Sequence, residues 1–246
     1  QEMSGAFLKI WQSAGAHLAA QVHGEPLSWL RAHPNPPYLE HLSFRIGNQL
    51  FFIRAEDAEG KVEGPGSSRG LLMVADANKG HACLLPMRRK WFGSTWVADQ
   101  PGWGLIDART KAPIDPLSLV SEEKIEMTQW ERHDMAVQVV KDHLSKSGYQ
   151  IMSWQGNPGV DPSIWFIGES QGPEWVVVRQ VSYPDNQAKR PRDWEAIRSR
   201  CEPLSRIGHF ASVAVASSDQ PFQSGQELPV ALWRGHGMHI RFTGLE

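Results

Sequence analysis

Apolar residues near the start of the chain recur at intervals of three and four, which is the spacing of one face of a helix. The members of this stripe are Phe7, Ile10, Trp11, Ala14 and Leu18. A second, shorter helix is predicted over residues 27–32, because the proline-rich run at residues 33–37 cannot continue it. The chain is therefore expected to begin with two helical segments.

Short apolar runs bounded by turn residues predict strands from residue 42 onward. They cover residues 42–46, 50–54, 71–75, 82–85, 94–98 and 104–107. Gly47-Asn48 separates the first two runs, and a turn containing Asn78 and Gly80 separates the next two. Residues 111–126 are polar and contain prolines, as expected of a linker. We therefore predict that residues 1–120 form a smaller, mostly antiparallel sheet domain with an N-terminal helix.

The spacing of Thr128 and Glu131 is that of a capping box, in which each side chain satisfies an unpaired N–H of the first helical turn. A helix is predicted from there to Lys146, and Gly148 is placed to end it in a left-handed cap. The face expected to be apolar consists of Ala136, Val139, Val140, His143 and Leu144.

Three strands are predicted after this helix, over residues 149–154, 163–167 and 175–183. Pro191 is expected to begin a second helix with the buried stripe Trp194, Ile197, Cys201 and Leu204. Two or three strands, over residues 210–216, 230–233 and 238–242, end the chain. Residues 121–246 are therefore expected to form one α/β (α+β) domain with the order α-β-β-β-α-β-β.

The composition, with 41% apolar and 21% charged residues among 246, is that of a soluble globular protein. No apolar run approaches the roughly 20 residues of a membrane span, so no membrane partner is expected. Two cysteines, Cys83 and Cys201, provide no disulfide framework, which favours a reducing, cytoplasmic location.

Basic and acidic residues are nearly balanced, at 13 and 13 before residue 125 and 12 and 14 after it. Neither half has the basic excess that is typical of a protein held on DNA by phosphate contacts. Local clusters remain candidates for nucleic-acid binding, and the alternative is that they are solvated faces. The candidates are Arg88, Arg89, Lys189, Arg190 and Arg192. Trp91 follows the first cluster and is the tryptophan best placed to stack on a base.

The element order of the second half comes together with three local motifs. These are Gly148-Tyr149, Gly159-Val160-Asp161 and Arg179-Gln180-Val181. Over residues 128–217 this combination resembles the Mrr-like branch of the restriction-endonuclease-like (PD-(D/E)xK) superfamily. In that family an Asp and a Gln or Glu hold a divalent cation, and a Lys orients or activates the attacking water.

The resemblance implies that Asp161 keeps the family's Asp, while Arg179 replaces the Gln or Glu and Val181 replaces the Lys. A guanidinium has no lone pair for a metal, and valine cannot handle a proton. We therefore expect Arg179 to pair with Asp161 in place of the metal. The alternative is that Asp161, which precedes Pro162, is only a turn residue.

These substitutions favour a catalytically degenerate, nuclease-like protein that binds nucleic acid or protein and needs no cofactor. The alternative is an active nuclease that uses Mg²⁺ and a migrated catalytic set. Glu174 is its first candidate, as an additional catalytic carboxylate and metal ligand beside Asp161. Further candidates are Lys189, Arg192, Glu131, Asp134 and Gln138. A homodimeric scaffold is a third possibility, which a large exposed apolar patch would indicate.

The run Gly168-Glu169-Ser170-Gln171-Gly172 matches the Gly-x-Ser-x-Gly motif of serine hydrolases. That motif needs a strand before it and a helix after it, whereas here a second strand is predicted to follow. We therefore interpret it as a hairpin loop.

Overall fold

The computed structural model of this chain describes residues 3–21, 28–31, 42–91, 93, 95–222 and 228–246, and only the backbone of residues 28–31. The chain divides into two units, Gln1–Lys124 and Ile125–Glu246. The predicted division lay after residue 120. Because the units are almost equal in length, the expectation of a smaller first domain is wrong. Within the described residues, no helix is both long enough and apolar enough to span a membrane.

The first unit consists of a helix, a mixed sheet and a second helix. Its elements are α1 (Gly5–Gln21), β1 (Ser28–Arg31), β2 (Leu42–Ile46), β3 (Gln49–Asp57), α2 (Ser68–Ala77), β4 (His81–Arg89), β5 (Trp96–Ala98), β6 (Leu105–Asp107) and β7 (Pro113–Ile114), followed by a 3₁₀ turn, Pro116–Leu119. The sheet order is β1-β2-β3-β4-β6-β7, and β5 also pairs with β4. Among the described strands, β3 and β4 are parallel and the other pairs are antiparallel.

Three predictions for this unit are wrong. Residues 111–126 are not only a linker, because they contain β7, which pairs with β6, and the 3₁₀ turn. Residues 28–31 form a strand antiparallel to β2 and not a helix. So short an apolar run is compatible with a helix or a strand, and the pairing with β2 determines that it is a strand. Leu27 and Ala32 lie outside the described residues. Residues 71–75 belong to helix α2, not to a strand. Leu71 and Ala75 are buried while Met73 between them is exposed, which is a helical period.

The predicted apolar stripe of α1 is confirmed. All five of its residues are buried and pack in one cluster with the inward side chains of the sheet. Helix α2 connects β3 to the parallel strand β4, as a parallel pair requires a crossover. The first unit therefore contains a β-α-β segment that the sequence pattern did not predict.

The second unit has the predicted order α-β-β-β-α-β-β. Its elements are α3 (Gln129–Lys146), β8 (Gln150–Trp154), β9 (Ile164–Ile167), β10 (Pro173–Ser182), α4 (Trp194–Cys201), β11 (Gly208–Ser217) and β12 (Met238–Phe242). The sheet order is β12-β11-β10-β9-β8, with β10 and β11 parallel and the other described pairs antiparallel.

Both ends of α3 confirm the sequence prediction. Thr128 and Glu131 form the reciprocal capping box. At the other end Gly148 has φ of 86°, and its N–H and that of Tyr149 bond to the carbonyls of Ser145 and Leu144. This is a Schellman cap, which a glycine forms without steric cost.

Four details of the second unit differ from prediction. His143, which was placed on the apolar face of α3, is exposed. Helix α4 begins at Trp194 rather than at Pro191, and Leu204 lies beyond its end with 56% of its surface exposed. Residues 230–233 form no strand, and only Trp233 makes an isolated bridge, to Glu126. For Leu204 and for residues 230–233 the apolar pattern extends past the backbone hydrogen bonds that define the element.

The alternating side chains of β10 face two different clusters. Val176 and Val178 pack with α3, whereas Trp175 and Val177 pack with α4. Because strand side chains alternate, Glu174 points to the α3 side and Arg179 to the α4 side. Glu174 therefore lies on the opposite face of the sheet from Arg179, beside which Asp161 was expected.

Candidate functional site

Arg179 and Asp161 form a bidentate ion pair on the α4 side of β10. Arg179 Nη1 lies 2.9 Å from Asp161 Oδ1, and Nη2 lies 2.6 Å from Oδ2. Nη1 also donates to the carbonyl of Val178. The side chains are 26% and 12% exposed, so the pair is largely withdrawn from water. The predicted pairing is confirmed.

The loop that carries Asp161 is organised by other side chains. The amide of Gln155 donates to the carbonyls of Val160 and Pro162, and its oxygen accepts from the N–H of Asn157. Asn157 in turn accepts from Gly159. The side chain of Asp161 bonds to Arg179 instead, so the alternative that it acts only as a turn former is not supported.

The residues at this position do not fit a divalent cation. Both oxygens of Asp161 are bonded to Arg179, whose guanidinium offers no lone pair. Val181 packs against the apolar cluster beneath α4. Among the described residues, no three His, Cys, Asp or Glu side chains form a group that is able to hold a metal ion.

Glu174 lies at the other end of β10, five residues before Arg179. At about 3.3 Å per residue the two positions are roughly 16 Å apart, and their side chains point to opposite faces. Glu174 therefore does not lie near Asp161, and the expectation that it supplies a second carboxylate to the site of Asp161 is wrong.

The other rescue candidates are also engaged elsewhere or lie on the surface. Glu131 is bonded to Arg234, at 2.6 and 2.9 Å. Gln138 accepts a hydrogen bond from Lys141, and Asp134 is fully buried in α3. Lys189 and Arg192 are exposed.

A polar cavity of about 630 Å³ lies beside the ion pair. Its walls include Gln129 and Arg132 from α3, Arg179 and Gln180 from β10, and Asp185 from the loop that follows. The Arg179–Asp161 pair therefore borders an open cavity that is lined by guanidinium and amide groups and by one carboxylate, that of Asp185.

Basic side chains are concentrated around α4. Residues 189–206, which we call the α4 basic segment, contain six basic residues and three acidic ones. The six are Lys189, Arg190, Arg192, Arg198, Arg200 and Arg206, and all are exposed. Two are balanced by neighbours, since Arg198 lies 3.7 Å from Glu195 and Arg206 lies 2.8 Å from Glu202. Only the first three were candidates from the sequence, because the others are interspersed with acidic residues along the helix.

Arg190 has a second role in the α4 basic segment. Its guanidinium lies 4.6 Å from the ring centre of Trp194, a cation–π contact that holds it against the surface. Lys189 and Arg192, on either side, are exposed. The segment therefore presents one fixed guanidinium and several free cations.

In the first unit, Arg88 and Arg89 end β4 and are exposed, as is the adjacent Trp91 at 93%. Arg88 Nε lies 3.7 Å from Asp99, and Arg89 donates to the carbonyl of Gly93. The exposure of Trp91 is compatible with the predicted stacking on a base, which stays a prediction.

Glu174 belongs to a separate cluster that the sequence did not indicate. Oε1 accepts from both the N–H and the hydroxyl of Ser170, at 3.2 and 2.8 Å. Oε2 lies 2.7 Å from His209 Nε2. Burial raises the pKa of Glu174, but the hydrogen bonds from His209 and Ser170 outweigh it, so the net pKa is lowered. The carboxylate is therefore held ionised, and His209 is the donor.

The serine of the Gly-x-Ser-x-Gly run contacts the carboxylate of this cluster. The run joins the antiparallel strands β9 and β10, which confirms the hairpin interpretation. A Cβ built on Gly168 would lie 2.3 Å from Glu174 Cδ and Oε1. The glycine is thus required by the carboxylate that sits over the hairpin rather than by a nucleophile elbow.

Residues 130–246 match a family described as Domain of unknown function (DUF8840). The match begins in the first turn of α3 and extends to the last residue, so it coincides with the second unit. No curated protein and no solved structure matches the chain.

Proposed function

We propose that the second unit is a nuclease-like domain that binds nucleic acid without cleaving it. The observation that carries the proposal is the bidentate Arg179–Asp161 pair. In the Mrr-like pattern the corresponding Asp binds a divalent cation, whereas here Asp161 is bound by the guanidinium of Arg179. In this class of cleavage the metal neutralises the phosphate and activates a water, so a site whose Asp is paired with Arg179 lacks the means for both.

The element order supports the fold part of the proposal. The unit has the order α-β-β-β-α-β-β, and the pair β10–β11 is parallel with α4 as its crossover. Asp161 precedes β9 and Arg179 lies on β10, as in the family pattern. The order of these elements supports the proposal, because each residue of the motif lies on or beside the element that the Mrr-like pattern assigns to it.

The binding part of the proposal rests on the uneven distribution of charge. The unit holds 12 basic and 14 acidic residues, and the α4 basic segment takes six of the basic and only three of the acidic ones. The remainder of the unit is therefore clearly acidic. A polyanion would approach the unit through this segment, since exposed Lys and Arg neutralise phosphates and release counterions.

Binding is tested by fluorescence anisotropy with short labelled DNA and RNA, single- and double-stranded, over a series of salt concentrations. We expect binding that weakens with salt. Arg192→Ser and Arg200→Ser should each lower the salt slope by about 0.7 to 0.9, the value for one phosphate contact. Lys146→Ser, at an exposed lysine of α3 outside the segment, is the matched control and should leave the slope unchanged.

The absence of cleavage is tested on the same nucleic acids with Mg²⁺ or Mn²⁺. Intact substrate throughout is the expected result. Metal-dependent cleavage that Asp161→Ala abolishes would replace the proposal with an active nuclease. Failure to bind any nucleic acid would contradict the binding part, and would favour a protein partner or a second copy of the chain.

A further inference from the structure

A second cavity in this unit lies at the opposite end of β10 from the Arg179–Asp161 pair. Its volume is about 510 Å³, and its walls come from the end of α3, the β9–β10 hairpin and the start of β11. The side chains that matter are Tyr149, Phe166, Glu169, Ser170, Glu174 and His209. This volume lies within the range of small-molecule sites, which spans about 300 to 1,000 Å³.

The hydrogen bonds of Glu174 fix the orientation of His209. The carboxylate is buried, both of its oxygens are bonded, and its Oε2 holds the Nε2 side of the imidazole. His209 itself is 26% exposed and lines the cavity. Because the two ring nitrogens are distinct, the neutral form of a histidine whose Nε2 donates to a carboxylate has Nδ1 as its acceptor. Among the described residues, the hydrogen bond to Glu174 is the one that the ring of His209 makes.

Aromatic side chains form one wall of the cavity. The ring of Phe166 lies 5.6 Å from that of Tyr149 and 5.9 Å from that of His209. The hydroxyl of Tyr149 donates to Glu169 Oε1 at 3.0 Å. Phe166 is buried, so the half-buried ring of Tyr149 is the surface that a flat ligand would contact, with the Glu169 carboxylate at its edge.

The charged side chains that line this cavity are acidic, and its two titratable nitrogen groups are the imidazoles of His143 and His209. Glu169 and Glu174 both line it, and the C-terminal end of α3 adds the partial negative charge of its last carbonyls. Within the described part of the chain, no lysine or arginine lines it. The hydrogen bond to Glu169, together with burial and the charges of Glu169 and Glu174, raises the pKa of Tyr149.

We propose that this cavity is a binding site for a small organic cation, with Glu169 facing the charged group and His209 Nδ1 accepting a hydrogen bond from it. The site is independent of the proposed nucleic-acid surface, because a polyanion is repelled by the acidic side chains that attract the cation. Failure of one proposal leaves the other standing.

The test compares three probes of nearly equal shape: benzamidine, neutral benzamide and anionic benzoate. Isothermal titration calorimetry should show benzamidine binding at least tenfold more tightly than benzamide, and benzoate not binding. Glu169→Gln should weaken benzamidine binding by about two- to fivefold, as expected for the loss of an ion pair with an exposed carboxylate. Glu169 is exposed, so this substitution leaves the fold intact, as circular dichroism will verify.

Asp142→Asn is the matched control, since Asp142 is an exposed carboxylate of α3 that does not line the cavity. Unchanged benzamidine affinity in this variant, with the loss confined to Glu169→Gln, supports the proposal. Three results would overturn it: no binding of benzamidine, equal affinity for the three probes, or an equal loss in Asp142→Asn and Glu169→Gln.

Discussion

Arg234 and Glu131 form a bidentate ion pair that is almost entirely buried, with side-chain exposures of 0% and 2%. Arg234 Nε and Nη2 lie 2.6 and 2.9 Å from the two carboxylate oxygens, and the N–H of Thr128 donates to the same carboxylate. The capping residue of α3 is therefore also the anchor of the segment before β12. Backbone hydrogen bonds from Arg234 to Ile125 and from Met127 to Leu232 run beside the pair and tie the two ends of the unit together.

Removal of one partner from this pair should destabilise the second unit strongly. Arg234→Met leaves the buried carboxylate of Glu131 without its guanidinium, and a loss of about 3–5 kcal/mol in the free energy of unfolding is expected. The matched control is Arg206→Met, because Arg206 pairs with Glu202 at the surface. There the loss should stay below about 1 kcal/mol. Urea denaturation measures both, and similar losses would contradict the prediction.

Introducing the Glu and Lys of the Mrr-like pattern, which the chain only resembles, should create a cation site where the protein has an ion pair. In the wild-type protein Arg179 contacts Asp161 directly. In the double variant Arg179→Glu with Val181→Lys, the carboxylates at positions 161 and 179 would therefore lie within reach of one cation. Mg²⁺ should then raise the melting temperature, because a ligand that binds the folded state stabilises it. Arg179→Gln, which frees Asp161 without adding a carboxylate, should respond far less. An equal response of the wild-type protein would show that the ion pair does not exclude the metal.

The sequence predicted those features that depend on residues close together in the chain. Thr128 and Glu131 are three positions apart, and Gly148 follows its helix directly, so both ends of α3 were predictable. The pairing of Arg179 with Asp161 was predictable for another reason, since the resemblance to the Mrr-like pattern singled out both positions. Residues 71–75 show the limit, because a short apolar run suits a strand as well as a helix. There the side-chain cap from Ser67 and the packing against the sheet decide.

The unpredicted contacts join residues that are distant in the chain. Glu174 and His209 are 35 positions apart, and Glu131 and Arg234 are 103 apart. The first pair depends on the parallel register in which Val176 lies opposite His209. No spacing along the chain encodes that register, so only the assembled sheet shows that Glu174 has a partner and a site of its own.

Gly168 and Gly172 offer a matched comparison within one hairpin. A Cβ at Gly168 would overlap the carboxylate of Glu174 at 2.3 Å, whereas at Gly172 the nearest atom is Ser170 Oγ at 3.8 Å. Gly168→Ala should therefore displace the carboxylate and lower the free energy of unfolding by about 1–3 kcal/mol, a typical penalty for overpacking. Gly172→Ala should be nearly neutral. Urea denaturation of both variants checks this, and equal effects would show that the carboxylate moves aside freely.

The lowered pKa of Glu174 makes a specific prediction for acid stability. Burial raises the pKa of Glu174, but the hydrogen bonds from His209 and Ser170 lower it by a larger amount. The pKa in the folded protein therefore lies below the ordinary value of about 4.3. The ionised carboxylate then contributes stability that is fully present above pH of about 5 and is lost as the pH falls through the folded pKa. Compared with Glu174→Gln, the wild-type protein should show its largest advantage near neutral pH and a shrinking one below pH of about 4.

Urea denaturation of both proteins over a pH series measures this difference. Glu195→Gln is the control, because its side chain is 80% exposed and should show a small difference that changes little with pH. A stability difference between wild type and Glu174→Gln that grows as the pH falls would mean that burial outweighs the hydrogen bonds. His209 would then not be oriented by an ionised carboxylate, and the orientation of its Nδ1 toward the proposed cation would no longer be supported.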